Sequence, residues 1–258
     1  DLEDVESSFR AFADLVPEGG RIIANRDDEN TMHTLAGETR PVTTFGLEEG
    51  DVHAAGLTWS KGLPSFDIIL RGERFAHVSL RVPGLHNVKN ALAAAAAAAA
   101  LGVSGEAVER GLGQFGGAGR RFEYKGSFRG AEIYDDYAHH PGELKALLDA
   151  AHTLGYQRVI CAFQPHTYTR TAALFDDFVE VLKQPDVVLL AEIYAARETN
   201  DIGISSKDLA ARIPGARYCA TLPEVTAALR ELARPGDLIL TVGAGDIYTA
   251  GEALVGEA

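Results

Sequence analysis

The sequence predicts an α/β protein whose second half is a doubly wound (Rossmann-like), mostly parallel sheet, and three features carry that prediction. Near-continuous apolar runs recur at residues 158–163, 186–191 and 237–242, the pattern of strands buried on both faces. Stretches with helical spacing alternate with them, Leu144, Leu147, Leu148 and Ala151 in one and Leu174, Phe175, Phe178 and Leu182 in another, as crossover helices require. Each strand then runs out into a polar cluster instead of a tight hairpin.

The first half has a different rhythm. Residues 4–15 place Val5, Phe9, Phe12, Ala13 and Val16 at helical spacing and stop at Pro17-Glu18-Gly19-Gly20, a helix followed by a turn. A short strand is expected at 21–24. Between Val42 and Val82 the runs become β-like, with Phe66-Asp67-Ile68-Ile69-Leu70 and Phe75-Ala76-His77-Val78-Ser79-Leu80 joined by Arg71-Gly72-Glu73, which reads as an antiparallel ribbon. After Pro83-Gly84 a helix starts near Asn87, runs through an alanine block and stops at Leu101-Gly102. Its small side chains imply close packing on a neighbour. Residues 113–119 are glycine-rich and lack large aliphatic side chains, the composition of a hinge. The expected domains are therefore 1–118 and 119–258.

The chain has 258 residues, 46% of them hydrophobic and 24% charged, enough for one large or two modest domains. Its net charge of -13 argues against sequence-independent binding to nucleic acid or an anionic bilayer, both of which rely on Lys and Arg neutralising phosphate. Two cysteines, Cys161 and Cys219, make neither a disulfide framework nor a metal cluster and suit a reducing compartment. The apolar stretch 91–101 is too short to span a bilayer and the start is acidic, so no targeting or membrane segment is read and a cytoplasmic location is expected. A start at Asp1 without methionine reads as a fragment or a processed product.

In an open parallel sheet the ligand crevice lies outside the carboxyl ends of the strands, and there the polar clusters fall. They are Asp135-Asp136-Tyr137-Ala138-His139-His140-Pro141, Gln164-Pro165-His166-Thr167-Tyr168-Thr169-Arg170-Thr171, Ile193-Tyr194-Ala195-Ala196-Arg197-Glu198 and Gly243-Ala244-Gly245-Asp246. Each has a plainer reading. His139 and His140 before Pro141 and Glu143 make a good helix entry; Arg120 and Arg121 could be solvated; the last glycines could be only a tight turn. Arg170, next to a helix start, suits an anion. A zinc site from His139, His140 and His166 is disfavoured because adjacent histidines rarely reach one ion and no cysteine or spaced carboxylate pair supports them. No Gly-x-x-x-x-Gly-Lys-[Ser/Thr] occurs, so the chain carries no P-loop.

Gly119-Arg120-Arg121-Phe122-Glu123, the double-histidine segment 135–141 and Phe163-Gln164-Pro165-His166-Thr167-Tyr168-Thr169-Arg170-Thr171 together resemble the Mur ligase family. Within it the double histidine and Phe163-Gln164-Pro165-His166 are similar to the alanine-adding branch. Pro83-Gly84-Leu85-His86-Asn87-Val88-Lys89-Asn90 resembles the family's adenine-side segment. The resemblance covers the whole chain and implies that 1–118 is the remainder of a central ATPase domain and 119–258 a C-terminal domain. The UDP-binding domain, the P-loop half and the magnesium ligands would lie upstream of Asp1. It further implies a cytoplasmic ligase of peptidoglycan synthesis that phosphorylates the carboxylate of UDP-N-acetylmuramate with ATP and lets L-alanine attack the acyl phosphate, the present chain alone being inactive. By position, His86, Asn87 and Asn90 would line the adenine, Asp136 the ribose side, and Arg121 would reach the terminal phosphate. His139 and Arg170 would hold the alanine carboxylate with Tyr137 and His166 alongside. Some relatives have arginine at Thr167 and glycine at Ala138, so the clamp here rests on fewer cations. A ligase that recycles a ready-made tripeptide and a non-catalytic α/β binding module are the alternatives.

Overall fold

The computed structural model describes residues 2–257; Asp1, read above as the point just past the family's metal-binding segment, lies outside them, as does Ala258. The chain divides into two compact units between Gly116 and Gly117.

The first unit runs α1 (Leu2–Ala13), β1 (Ile22–Asn25), α2 (Glu29–Thr34), β2 (Val42–Gly46), β3 (Val52–Ser60), β4 (Leu63–Leu70), β5 (Glu73–Ser79), α3 (Leu85–Ala100) and α4 (Gly105–Gln114). Its sheet follows chain order, β1 to β3 parallel and β3 to β5 an antiparallel meander. The expected ribbon is the β4–β5 pair. Arg71 and Gly72 both take positive φ at its turn, as do Lys61 and Gly62 before β4, the backbone that a two-residue hairpin needs to match the strands' twist. The alanine face of α3 buries Val88, Ala91, Leu92, Ala95 and Ala96 in a core with Phe66, Ile68 and Val78. Helices α2 and α4 have no counterpart in the sequence reading, although each has a side-chain cap, Asp28 accepting from Thr31 N–H and Ser104 from Ala107 N–H. The α1 stripe keeps Val5, Phe9 and Phe12 exposed among the described residues.

The second unit runs β6 (Glu123–Phe128), β7 (Ala131–Asp136), α5 (Pro141–His152), β8 (Arg158–Phe163), α6 (Tyr168–Ala173), α7 (Phe175–Val181), β9 (Val187–Ala191), α8 (Ser206–Arg212), β10 (Arg217–Cys219), α9 (Leu222–Leu232), β11 (Asp237–Val242) and α10 (Tyr248–Val255). The sheet order is β10-β9-β8-β11-β7-β6, parallel throughout except for the edge pair β6–β7. Alternation along each strand feeds two cores. Val159, Cys161 and Phe163 of β8 face α5, α7 and α8, whereas Ile160 and Ala162 face α9 and α10. Strand β11, paired on both sides and covered on both faces, is buried along its whole length. Both layers leave the strands' carboxyl ends uncovered, and the order 8-11-7 brings the loops after these three strands side by side.

Candidate functional site

Asp135, the fifth residue of β7, is fully buried. A lone carboxylate there would be costly, and the sequence supplies its partner fifteen residues earlier. Arg120 donates from Nε to Asp135 at 2.8 Å, and its terminal nitrogens donate to the carbonyls of Gly243 at 2.7 Å and Gly245 at 3.1 Å. The guanidinium lies over the rings of Tyr137, 4.9 Å away, and Tyr248, 4.6 Å away. Thr241 Oγ1 donates to the other Asp135 oxygen at 2.9 Å. Burial pushes the Asp135 carboxyl above its ordinary range, with Arg120 and Thr241 pulling the other way. Arg120 therefore staples the entry of the unit to the loops after β7 and β11.

Its neighbour has the opposite environment. Arg121 is exposed, makes no side-chain hydrogen bond or ion pair among the described residues, and touches only the Tyr137 ring at 5.7 Å. Asp136 accepts from the backbone N–H groups of Ala138 and Phe122, each at 2.8 Å, and is almost fully buried. Burial raises its carboxyl and those two N–H groups oppose the rise.

Four rings follow one another across the ends of β7, β8 and β9. Tyr137 meets His139 edge-on at 5.6 Å, His139 lies 6.0 Å from His166, and His166 stacks on Tyr194 at 5.6 Å. The two histidines of the 139–140 pair separate by role. His140 caps α5, its Nδ1 accepting from Gly142 N–H at 3.2 Å, and Glu143 completes a capping box. His139 donates its N–H to Glu143 as well, but its ring, with Nδ1 3.0 Å from Tyr137 O and 3.4 Å from Glu143 Oε2, lies beside that of His166. His166 is held below its ordinary value by burial, then by the charges of Arg170 and His139, so it is neutral at neutral pH. Arg170, half-buried, has Nη1 at 3.5 Å from His166 Nδ1 and no carboxylate within ion-pair distance among the described residues, although its charge helps to hold Glu198 below its ordinary value.

The turn that presents these groups is strained and tied. Thr167 has φ 70 and ψ 142, a region costly for a β-branched residue. Its N–H donates to Tyr194 O at 2.9 Å, and its carbonyl accepts from Thr171. Thr169 donates to Glu198 from both N–H and Oγ1. Gln164 is buried and bonded at both ends of its amide, Nε2 donating to Asp246 at 2.9 Å and Oε1 accepting from Ile247 N–H at 3.1 Å. The glycines of 243–246 make room for this: a Cβ on Gly245 would stand 2.3 Å from Gln164 Oε1 and 2.7 Å from the Tyr194 ring.

Arg121, Asp136, Tyr137, His139, His166 and Arg170 thus share one sheet edge. His86, Asn87 and Asn90 form a separate group on the first turn of α3, where Asn87 Nδ2 donates to Pro83 O at 2.8 Å and Asn90 Nδ2 to Asn87 Oδ1 at 3.2 Å. The sequence reading singled out neither Arg120 as the staple nor Tyr194 as the last ring. A tyrosine at a strand end beside a positioned histidine is the only local sign of the second, and Arg120 and Arg121 look alike in sequence.

Residues 1–98 match the Mur ligase middle domain and residues 120–245 match the Mur ligase glutamate ligase domain. The chain belongs to the Mur ligase family. It is similar to the UDP-N-acetylmuramate–L-alanine ligase of Caldanaerobacter subterraneus subsp. tengcongensis, 42% identical over 262 residues that cover 99% of this chain and 57% of that protein. Among solved structures, the UDP-N-acetylmuramate-alanine ligase MurC of Thermotoga maritima matches with TM-score 0.73 and 28% identity over 91% of this chain and 50% of that one. A murein peptide ligase of Psychrobacter arcticus, at TM-score 0.72 and 24% identity over 99% of this chain and 54% of that one, shares the fold. The chain spans a little over half the length of the curated relatives it matches.

Proposed function

We propose that this chain forms the distal part of an ATP-dependent ligase that joins L-alanine to UDP-N-acetylmuramate in cytoplasmic peptidoglycan precursor synthesis. One observation carries the reading. Arg170 is a half-buried guanidinium with no carboxylate within ion-pair distance among the described residues, set beside a neutral His166 with His139 next to it. A half-buried arginine at a strand's carboxyl end with its forked donors not taken by a carboxylate suits the carboxylate of an amino acid. The neutral imidazole leaves Arg170 as the main local positive charge, so the amino group of the same ligand is not repelled.

A carboxylate is a poor acyl donor because oxide is a poor leaving group. Phosphorylation by ATP makes phosphate the leaving group; the amine then forms the C–N bond, the C–O bond to phosphate breaks with its electron pair, and the amine loses a proton. Charge grows on the phosphate oxygens, and positioned cations lower that barrier. Arg121, exposed and unpaired, supplies one toward the terminal phosphate. His86, Asn87 and Asn90 line the adenine side. Asp136 faces the ribose through lone pairs left over after its two backbone contacts. No group of three or more His, Cys, Asp or Glu among the described residues is placed to hold a metal ion. No described helix is long and apolar enough to cross a membrane.

The test is phosphate release by the full-length protein containing this chain, given ATP, magnesium and UDP-N-acetylmuramate. L-alanine should trigger release; a tripeptide acting in its place on the same acceptor would assign the recycling reaction, and no release with any amino acid would leave a binding module.

A further inference from the structure

Tyr194 belongs to more than the clamp described above. Its ring stacks against His166 at an interplanar angle of 21°. The residue also lines a cavity of about 270 Å³ at the ends of β9, β10 and β11, together with Gln164, Glu192, Thr221, Leu222 and Asp246 and with none of His139, His166 or Arg170. Its backbone is tied on both sides. Tyr194 N–H donates to Pro165 O and Tyr194 O accepts from Thr167 N–H, both at 2.9 Å, and Gly245 packs so closely that a Cβ there would clash with it.

The cavity is not left over from poor packing. Glu192 beside it already accepts from Ser205 Oγ, Tyr218 Oη and the N–H groups of Ile193 and Ser206. Gln164 is used at both ends, and Thr221 caps α9. Among the lining carboxylates, the oxygen left without a hydrogen bond among the described residues belongs to Asp246, whose other oxygen takes Gln164. The lining therefore offers volume and one acidic acceptor, the complement of an extended side chain ending in an amine.

We propose that Tyr194 is a specificity-determining residue, a wall that separates the carboxylate clamp from this cavity and restricts the bound amino acid to a side chain the size of a methyl group. The inference rests on the amino-acid-ligating function proposed above. An amino acid held at Arg170 beside His166 reaches the wall within a few bonds, at about 1.5 Å each. Discrimination by a packed wall amounts to ~10-fold or more for each added methylene. With the wall removed, a longer side chain enters the cavity, and a terminal ammonium meets Asp246.

The experiment compares kcat/KM for L-alanine, L-norleucine and L-lysine in the full-length protein and its Tyr194→Phe, Tyr194→Ala and Tyr194→Val variants. The wild type and Tyr194→Phe should prefer L-alanine strongly, since both keep the ring. Tyr194→Ala should raise the lysine-to-alanine ratio by ~10-fold or more, and Tyr194→Val, which preserves the strand-like backbone at the His166–Tyr194 bridge, should raise it if the alanine variant does not fold. Adding Asp246→Asn to the opened variant should reduce the gain for L-lysine and leave that for L-norleucine. An unchanged ratio in a folded Ala or Val variant overturns the proposal, as does a wild type that already uses L-lysine within ~10-fold of L-alanine. A wild type that uses no amino acid sinks the proposed function itself, a different result.

Discussion

Arg120→Ala tests whether the staple is structural while its neighbour is not. The substitution leaves Asp135 fully buried with only Thr241 as donor and removes charge-assisted bonds to the carbonyls of Gly243 and Gly245. Breaking a buried pair from one side costs about 3–5 kcal/mol. The Arg120 side chain is 25% exposed, which lets water reach the vacated site, so about 3 kcal/mol is expected. For a domain of this size that lowers the unfolding midpoint by roughly 6–12 °C. The loss is pH-dependent with a definite sign. Asp135 already sits above its ordinary range, so its ionised form is the one the fold disfavours, and without Arg120 that value rises further. The destabilisation is then largest at neutral pH and shrinks as pH falls and the carboxyl protonates. Asp135→Asn in the same background removes the stranded charge and should recover most of the loss. Thermal and urea unfolding of the 258-residue chain, followed by circular dichroism at neutral and mildly acidic pH, compares wild type with both variants. Stability of Arg120→Ala within about 0.5 kcal/mol of wild type, or a double variant less stable than the single one, would refute the reasoning.

Other outcomes are also expected. Arg121→Ala should unfold like wild type but lower turnover of the full-length enzyme by ~10²-fold or more; normal turnover removes Arg121 from the reaction. Arg170→Ala should raise the KM for L-alanine by ~10-fold or more, from a charge-assisted contact of about 1.5–3 kcal/mol, and should move the His166 titration, followed by NMR, up toward 6.5 because one depressing charge is gone. A His166 midpoint that stays put would detach the two residues. Burial works to raise Glu192, yet its four hydrogen bonds hold it below its ordinary value, so the stability it contributes is present above its unfolded value and lost as pH falls through the lower folded one. Glu192→Gln should flatten that acid dependence and cost about 1–3 kcal/mol, read from urea midpoints across pH. Finally, the isolated chain, which has no P-loop, should release no alanine-dependent phosphate; release by a preparation free of the full-length enzyme would show that the phosphate site is misplaced.

The sequence by itself determined what local periodicity encodes. The runs of β8, β9 and β11 are apolar at every step because both faces are covered, and that is visible without knowing what covers them. The polar clusters at their ends announced a site, since side chains so varied in charge have no place in a packed turn. The ribbon at 66–80 followed from alternation and an Arg-Gly turn. Residues 200–235 were harder: α8 is short, β10 has three residues, and neither contains enough periods to stand out, while α9 shows its Leu222-Pro223 start clearly only once Thr221 is known to cap it. The tertiary structure decided everything that depends on distance across the chain. The 10-9-8-11-7-6 order is set by packing of crossovers. Of two adjacent arginines, Arg120 is committed because Asp135 and the loop more than a hundred residues away close around it, and Arg121 is left free to act. Of two adjacent histidines, His140 is consumed by the α5 cap while His139 faces His166. Tyr194 and Gly245 are ordinary residues in sequence, and only their contact makes one a wall and the other the space that holds it. Hydrophobic periodicity is a property of neighbours along the chain, whereas the commitment of a charge or a ring depends on which partner reaches it first in space.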